Sequence, residues 1–162
     1  GKNKLYSLLE MGALPKAAQR DYSLAHLTDA AIRHLSQNEN GFILMVEGSQ
    51  IDWAGHDNDQ KNLMHEMQDF LEAIETALKF AEKDGNTLVI VTADHETGGM
   101  TITGGSLEDN TLKMSFSSTG HTAASVPLLA KGPGEAHFRG IFDNYQVGRI
   151  LFRLYNPEYN FD

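Results

Sequence analysis

Residues 41–56 read GFILMVEGSQIDWAGH, and the change of character at position 47 decides the fold class. Gly41 to Val46 is a short apolar run with aromatic and β-branched members, preceded by the turn-forming Asn38, Glu39 and Asn40. This pattern predicts a buried strand. Glu47 then stands at its carboxyl end, with Asp52 and His56 close behind. In open α/β sheets ligands collect beyond that edge of the strands. If the chain is helical from Trp53 onward, Asp52 and His56 project from one helix face and can close on one ion. A carboxylate with an imidazole suits zinc.

A second stretch repeats the design. Thr87 to Thr92, TLVIVT, follows Gly85 and Asn86 and ends in Ala93, Asp94 and His95, with Glu96, Thr97, Gly98 and Gly99 behind them. It predicts a central strand entering a glycine-bearing loop. Neighbours on a regular strand face opposite ways, but where the strand breaks, Asp94 and His95 can both turn toward one ion. His121 supplies a further imidazole in TGHT, residues 119–122, ahead of the apolar stretch Val126 to Ala130. Each group taken singly is commonplace. Their coincidence at strand ends is not, since structural carboxylates and histidines have no reason to gather there. The expected architecture is α/β, a mainly parallel sheet with helices on both faces, forming a single domain over residues 1–162.

At these residues the chain resembles the alkaline phosphatase family, most closely its bacterial members. The resemblance runs through YSLA (22–25), GFILMVEGSQIDWAGHDND (41–59), DGNTLVIVTADHETGG (84–99), STGHTAASVPLLAKGPG (118–134) and FRGIFDN (138–144). It implies an alkaline phosphatase-like fold and phosphomonoester hydrolysis through a phosphoserine. Asp52, His56 and His121 would ligate the first zinc, and Asp94 and His95 the second. Glu47 would ligate a neighbouring magnesium, and Trp53 would border the phosphate and magnesium from outside the ligand shell. Packing beside the strand end is the other reading of Trp53, the chain's one tryptophan.

The chemistry asks for these residue types. Phosphate-ester hydrolysis must stabilise negative charge on the transferring phosphoryl group and on the attacking and leaving oxygens, which paired divalent cations do in line. Nitrogen and oxygen ligands hold zinc while leaving a position open, whereas a full thiolate set would close the site. The family's serine nucleophile, its bridging aspartate, a magnesium-binding threonine and a phosphate-clamping arginine belong to a segment with no counterpart here. Ser49, Ser117, Ser118 and Ser125 lie in no Asp-Ser-Ala setting at a helix start. The resemblance therefore implies the C-terminal part of such an enzyme, inactive alone, with the missing N-terminal part as its partner and a homo-oligomer as an open outcome. Two other readings stand beside it: a cofactor-independent phosphoglycerate mutase of the wider metal-hydrolase fold, and a zinc-binding or interaction module without catalysis.

Composition narrows the partners. The 162 residues are 41% hydrophobic with a formal net charge of −9 and no cysteine. That balance, without a basic stripe, argues against nucleic acid and anionic membranes. Bound divalent ions would dominate the local potential over the diffuse, salt-screened acidity. Neither a disulfide framework nor a thiolate zinc finger is available. No run of about 18 apolar residues and no signal-peptide pattern is present, and the resemblance implies a periplasmic or secreted setting.

The remainder reads as scaffold. Ser23 should cap a helix through Leu35, with His26 and His34 facing solvent. Lys61 to Lys83 should be a long amphipathic helix burying Leu63, Met67, Phe70, Ile74, Leu78 and Ala81 and ending at Gly85. His65 and Asp69 lie off that stripe as a solvated pair. Met100 to Gly105 and Leu112 to Phe116 should be short flap strands. Asn144 should cap a helix to Tyr155 that buries Val147, Ile150, Leu151 and Leu154.

Overall fold

A computed structural model of the chain describes residues 9–10 and 12–158. Its helical side is built around one long element. Helix α1 (Leu24–Leu35) starts where Ser23 Oγ accepts the His26 N–H at 3.1 Å. Helix α2 (Gln50–His56) is short, and α3 (Gln60–Asp84) follows it directly, capped by Asp59, whose side chain accepts from Asn62 N. That bond, with Lys16 nearby, holds the Asp59 carboxyl below its ordinary pKa. Helix α3 ends at Gly85, whose φ of 73° closes a hydrogen bond to Ala81 O. Only glycine takes that left-handed position without steric cost. Helices α1 and α2 both pack on α3.

The strands are short and pair antiparallel. β1 (Val89–Val91) pairs with β6 (Leu129–Lys131), with Ile90 opposite Ala130. β2 (Glu96–Thr97) pairs with β5 (His121–Thr122), and β3 (Thr101–Ser106) with β4 (Thr111–Ser115). The last pair is the expected flap, an irregular hairpin whose register shifts between Ile102 and Gly104. A mainly parallel sheet is not found among the described residues, because β6 runs back along β1 in the opposite direction. Residues 41–46, expected as a buried strand, take part in no strand pairing among the described residues, and Gly41 at their start holds a φ of 80°. Their alternation is still that of a strand. Phe42, Leu44 and Val46 are half-buried, with Phe42 against Phe80 of α3, while Ile43 and Met45 are 78% and 86% exposed. An apolar run specifies extension and burial, but its hydrogen-bond partner must come from elsewhere.

Five scaffold expectations change. Asp69 is not solvated: it accepts the Leu24 N–H at the start of α1 and pairs with Arg20, while His65 is exposed. Glu66, three residues earlier on the same face, accepts Ala17 N–H at 2.7 Å and lies 3.5 Å from the Arg20 guanidinium. The inward face of α3 is therefore rotated toward Glu66 and Asp69, and Met67 is left exposed. His34 is half-buried while His26 is exposed. Helix α4 (Asn144–Tyr155) is capped by Asp143, not Asn144. Gln146 Oε1 accepts the Asp143 N–H at 2.7 Å, and the Asn144 amide instead donates to Asp94 O at 3.0 Å. Leu151 and Leu154 are exposed, since α4 meets little beyond the 3-10 turn Glu135–Phe138. No helix among the described residues is long and apolar enough to cross a membrane.

The Arg20 cluster carries a prediction. The side chains of Arg20, Glu66 and Asp69 are only 9%, 3% and 11% exposed, so removing the cation leaves two shielded carboxylates against each other. Arg20→Met should lower the unfolding free energy by about 3 kcal/mol, read from the urea midpoint. Arg20→Lys should recover only part, because the forked geometry is lost. A midpoint unchanged in Arg20→Met would show that the backbone N–H groups alone satisfy the carboxylates.

Candidate metal centre

Three pieces of chain bring the ligands together. Helix α2 places Asp52 and His56 one turn apart, with His56 Nε2 3.4 Å from Asp52 Oδ2. Strand β5 brings His121 over them, its Nε2 lying 3.5 Å from Asp52 Oδ1 and 3.2 Å from His56 Nε2. These donors could hold one metal ion. With metal–ligand bonds of about 2.0–2.1 Å, neighbouring donors of a tetrahedral set stand about 3.3 Å apart, against about 2.9 Å in an octahedron. The two imidazole nitrogens stand near the tetrahedral value, while the contacts of 3.4 and 3.5 Å run to different oxygens of Asp52. Tautomer also fits: His56 Nδ1 is 2.6 Å from the Thr119 carbonyl, which only accepts. The ring proton must sit on Nδ1, and Nε2 keeps its lone pair for the ion.

The second pair lies alongside. His95 Nε2 is 3.4 Å from Asp94 Oδ2, and the His95 ring stacks on His121 with centroids 3.5 Å apart. Both residues of the pair therefore turn to one side where β1 gives way to loop, although the Asp94 side chain is 85% exposed. Glu47 is exposed just after residues 41–46 and does not join the Asp52, His56 and His121 group. Trp53 is half-exposed on α2. An open groove between α1 and α3, lined partly by Asp29, Arg33, Lys79 and Lys83, contains none of the ligands. Two of its cations are engaged, Arg33 with Asp29 and Lys79 with Glu75.

What holds the three pieces in register is a turn that the motif reading passed over. Gly98 donates to Gly120 O and accepts from both Ser117 and Ser118 N–H, while Thr97 opposes His121 across β2 and β5. Gly98 has φ 89°, and a Cβ built there would lie 2.8 Å from Gly55 O of α2. A Cβ built on Gly55 would in turn lie 3.0 Å from Thr97 Cβ. Two glycines let loop and helix meet backbone to backbone. Glu96 accepts from the N–H groups of Gly99 and Met100 and from the Thr122 hydroxyl, stitching the turn to β5. The Thr122 hydroxyl, then those two N–H groups and the nearby His95, hold the Glu96 carboxyl below its ordinary pKa, overcoming the opposing effect of burial. A signal for these residues existed in the sequence: positions two apart on extended chain share a face, which puts Thr97 beside His95.

With this geometry in place, the relatives are informative. The sequence profile of the family described as "Alkaline phosphatase" matches residues 2–114. Alkaline phosphatase 4 of Bacillus subtilis strain 168 is 35% identical over 227 aligned residues, covering 94% of this chain and 49% of its own. The solved structure of alkaline phosphatase from the Antarctic bacterium TAB5 superposes with a TM-score of 0.81 at 43% identity, over 88% of this chain and 43% of that one. A variant of that enzyme with Mg bound superposes at 0.80 with 42% identity, over 88% and 44%. The chain thus spans about half the length of the relatives it matches. Its fold is alkaline phosphatase-like, and the Mg-bound structure together with the Asp52, His56 and His121 group supports a metal cofactor.

Two consequences are measurable. Gly98→Ala forces a side chain into left-handed backbone against Gly55 O, which should cost roughly 1–3 kcal/mol and weaken divalent-ion binding together with it. Unchanged melting and affinity would show that α2 and the turn separate freely. A depressed carboxyl pKa stabilises the fold above the ordinary glutamate value and loses that contribution as pH falls through the lowered one. Acid unfolding of Glu96→Gln should therefore have a shallower pH dependence than the parent, and identical acid limbs would remove Glu96 from the account.

Proposed function

Because the chain belongs to the alkaline phosphatase family, we propose that it supplies the metal-binding part of a phosphomonoester hydrolase. The observation that carries this reading is the convergence of Asp52, His56 and His121 on one point. Two imidazoles and a carboxylate suit zinc, and three protein donors leave a fourth corner for water or substrate. Asp94 and His95 form half of a second zinc set, and Glu47 part of a magnesium set, whose remaining ligands lie outside this chain. The chemistry these residues would recruit by holding such cations is neutralisation of phosphoryl oxygens and a lowered pKa for a coordinated hydroxyl. The protein's own work is orientation. Asp52 offers one oxygen toward each imidazole, His56 is held by Thr119 O, and His121 is held by the β2–β5 pairing.

The family match favours the phosphatase over the mutase, and the same residues serve the substrate class, a phosphate monoester. Turnover also needs a nucleophile. Ser117 Oγ donates to Gly99 O and Ser118 Oγ accepts from Gly120 N, so both hydroxyls are occupied in shaping the turn. We infer that the chain alone binds zinc without hydrolysing esters above the background of free metal, since covalent catalysis and positioning supply many orders of magnitude of rate.

Calorimetric zinc titration and a nitrophenyl phosphate assay test both halves. The chain should show one tight binding event that weakens by at least about tenfold in His121→Ala. Activity should appear only after mixing with the N-terminal part of a matching alkaline phosphatase. Unchanged affinity in His121→Ala would remove that residue from the site. Turnover by the chain alone, abolished in His121→Ala, would refute the inferred inactivity. Zinc binding that never brings activity on mixing would favour a zinc-binding module.

A further inference from the structure

The ligand sets of the two cations come from separate pieces of chain, and one side chain outside both sets touches each. Thr97 Oγ1 lies 2.6 Å from Asp52 Oδ1 and 3.2 Å from His95 Nδ1. Its backbone pairs with His121, and its Cβ and methyl pack against Gly55 of α2. It therefore meets α2, the loop after β1, and β5 at once.

The hydroxyl carries a single proton, and that settles the direction of both contacts. An ionised carboxylate only accepts, so the short contact to Asp52 takes the proton. Toward His95 the same oxygen offers a lone pair, so His95 Nδ1 must bring the hydrogen. A neutral imidazole with Nδ1–H keeps its lone pair on Nε2, the atom that stands 3.4 Å from Asp94 Oδ2. We propose that Thr97 is a positioning residue that couples the two metal sets: its hydroxyl donates to Asp52 and accepts from His95, turning the Asp52 carboxylate and selecting the His95 tautomer whose Nε2 can bind a cation. The proposal rests on the reading of Asp52 and His95 as metal ligands. Thr97 does to His95 what the Thr119 carbonyl does to His56, but because it also holds Asp52, orientation at one cation is linked to orientation at the other.

The proposal is tested in the same chain with Thr97→Val, which keeps the branched shape and the packing on Gly55 while removing the hydroxyl, and Thr97→Ser, which restores it. Zinc affinity by calorimetry should fall about 10–100-fold in Thr97→Val and largely return in Thr97→Ser. Nitrogen chemical shifts of the His95 ring, measured without metal, should report the Nδ1–H tautomer in the parent and in Thr97→Ser and a shift away from it in Thr97→Val. Wild-type zinc affinity in Thr97→Val, an unaltered His95 tautomer, or an affinity loss that Thr97→Ser fails to recover would each overturn it. If the parent chain binds no zinc, the metal-site reading fails instead. The tautomer measurement, which needs no metal, then still decides whether Thr97 acts on His95.

Discussion

The site depends on a backbone contact in which no functional group takes part, the meeting of Gly98 with Gly55. Gly98 is buried, holds a left-handed conformation, and has both its N–H and its carbonyl bonded into residues 117–120. Its α-carbon rests on the carbonyl of Gly55, between Asp52 and His56 on the helix that carries them. Any side chain at either position would push α2 away from the turn. The imidazole of His121 would then move away from His56 Nε2 and Asp52 Oδ1, which it meets at 3.2 and 3.5 Å.

Around this contact the polar groups form a chain of orientation rather than a store of stability. Thr119 holds His56, Glu96 holds Thr122 beside His121, and Thr97 stands between Asp52 and His95. The Thr119 carbonyl and the Glu96 and Asp52 carboxylates only accept, which fixes the direction of the contacts made to them. Further back, Gln50 donates to Leu14 O and the Arg20 cluster ties the segment before α1 to α3, which steadies the root of α2. The same logic explains Asn144, which forgoes capping its helix in order to hold the Asp94 carbonyl.

The acidity of the chain is compatible with the proposed phosphate-ester chemistry. The net charge of −9 is spread over a solvated surface, where salt screens it within roughly 10 Å. In the proposed reading, a divalent ion held by Asp52, His56 and His121 would act at contact distance, and the nearest carboxylate would be its ligand instead of opposing a phosphate ester.

Much of the candidate site was legible in the sequence, because metal chemistry restricts ligands to few residue types. Asp52 and His56 at helical spacing, Asp94 with His95 at the break of β1, and His121 behind a glycine could be read from pattern alone. So could α1, α3 and the β3–β4 flap, since apolar periodicity and caps are local properties. Strand pairing was not legible: GFILMV reads as a buried strand but is only half-buried and unpaired among the described residues, because direction and partner are properties of whatever chain lies alongside, and β1 meets β6 running the other way. Nor were the inward turn of Asp69, the cap at Asp143 or the work of Thr97, each of which depends on a residue brought from far along the chain or on competition between neighbours. The amino-acid sequence by itself determined which atoms can bind a cation. Only the tertiary structure decided which of them meet, because ligand convergence needs positions tens of residues apart to agree within about half an ångström, and no local rule reaches that far.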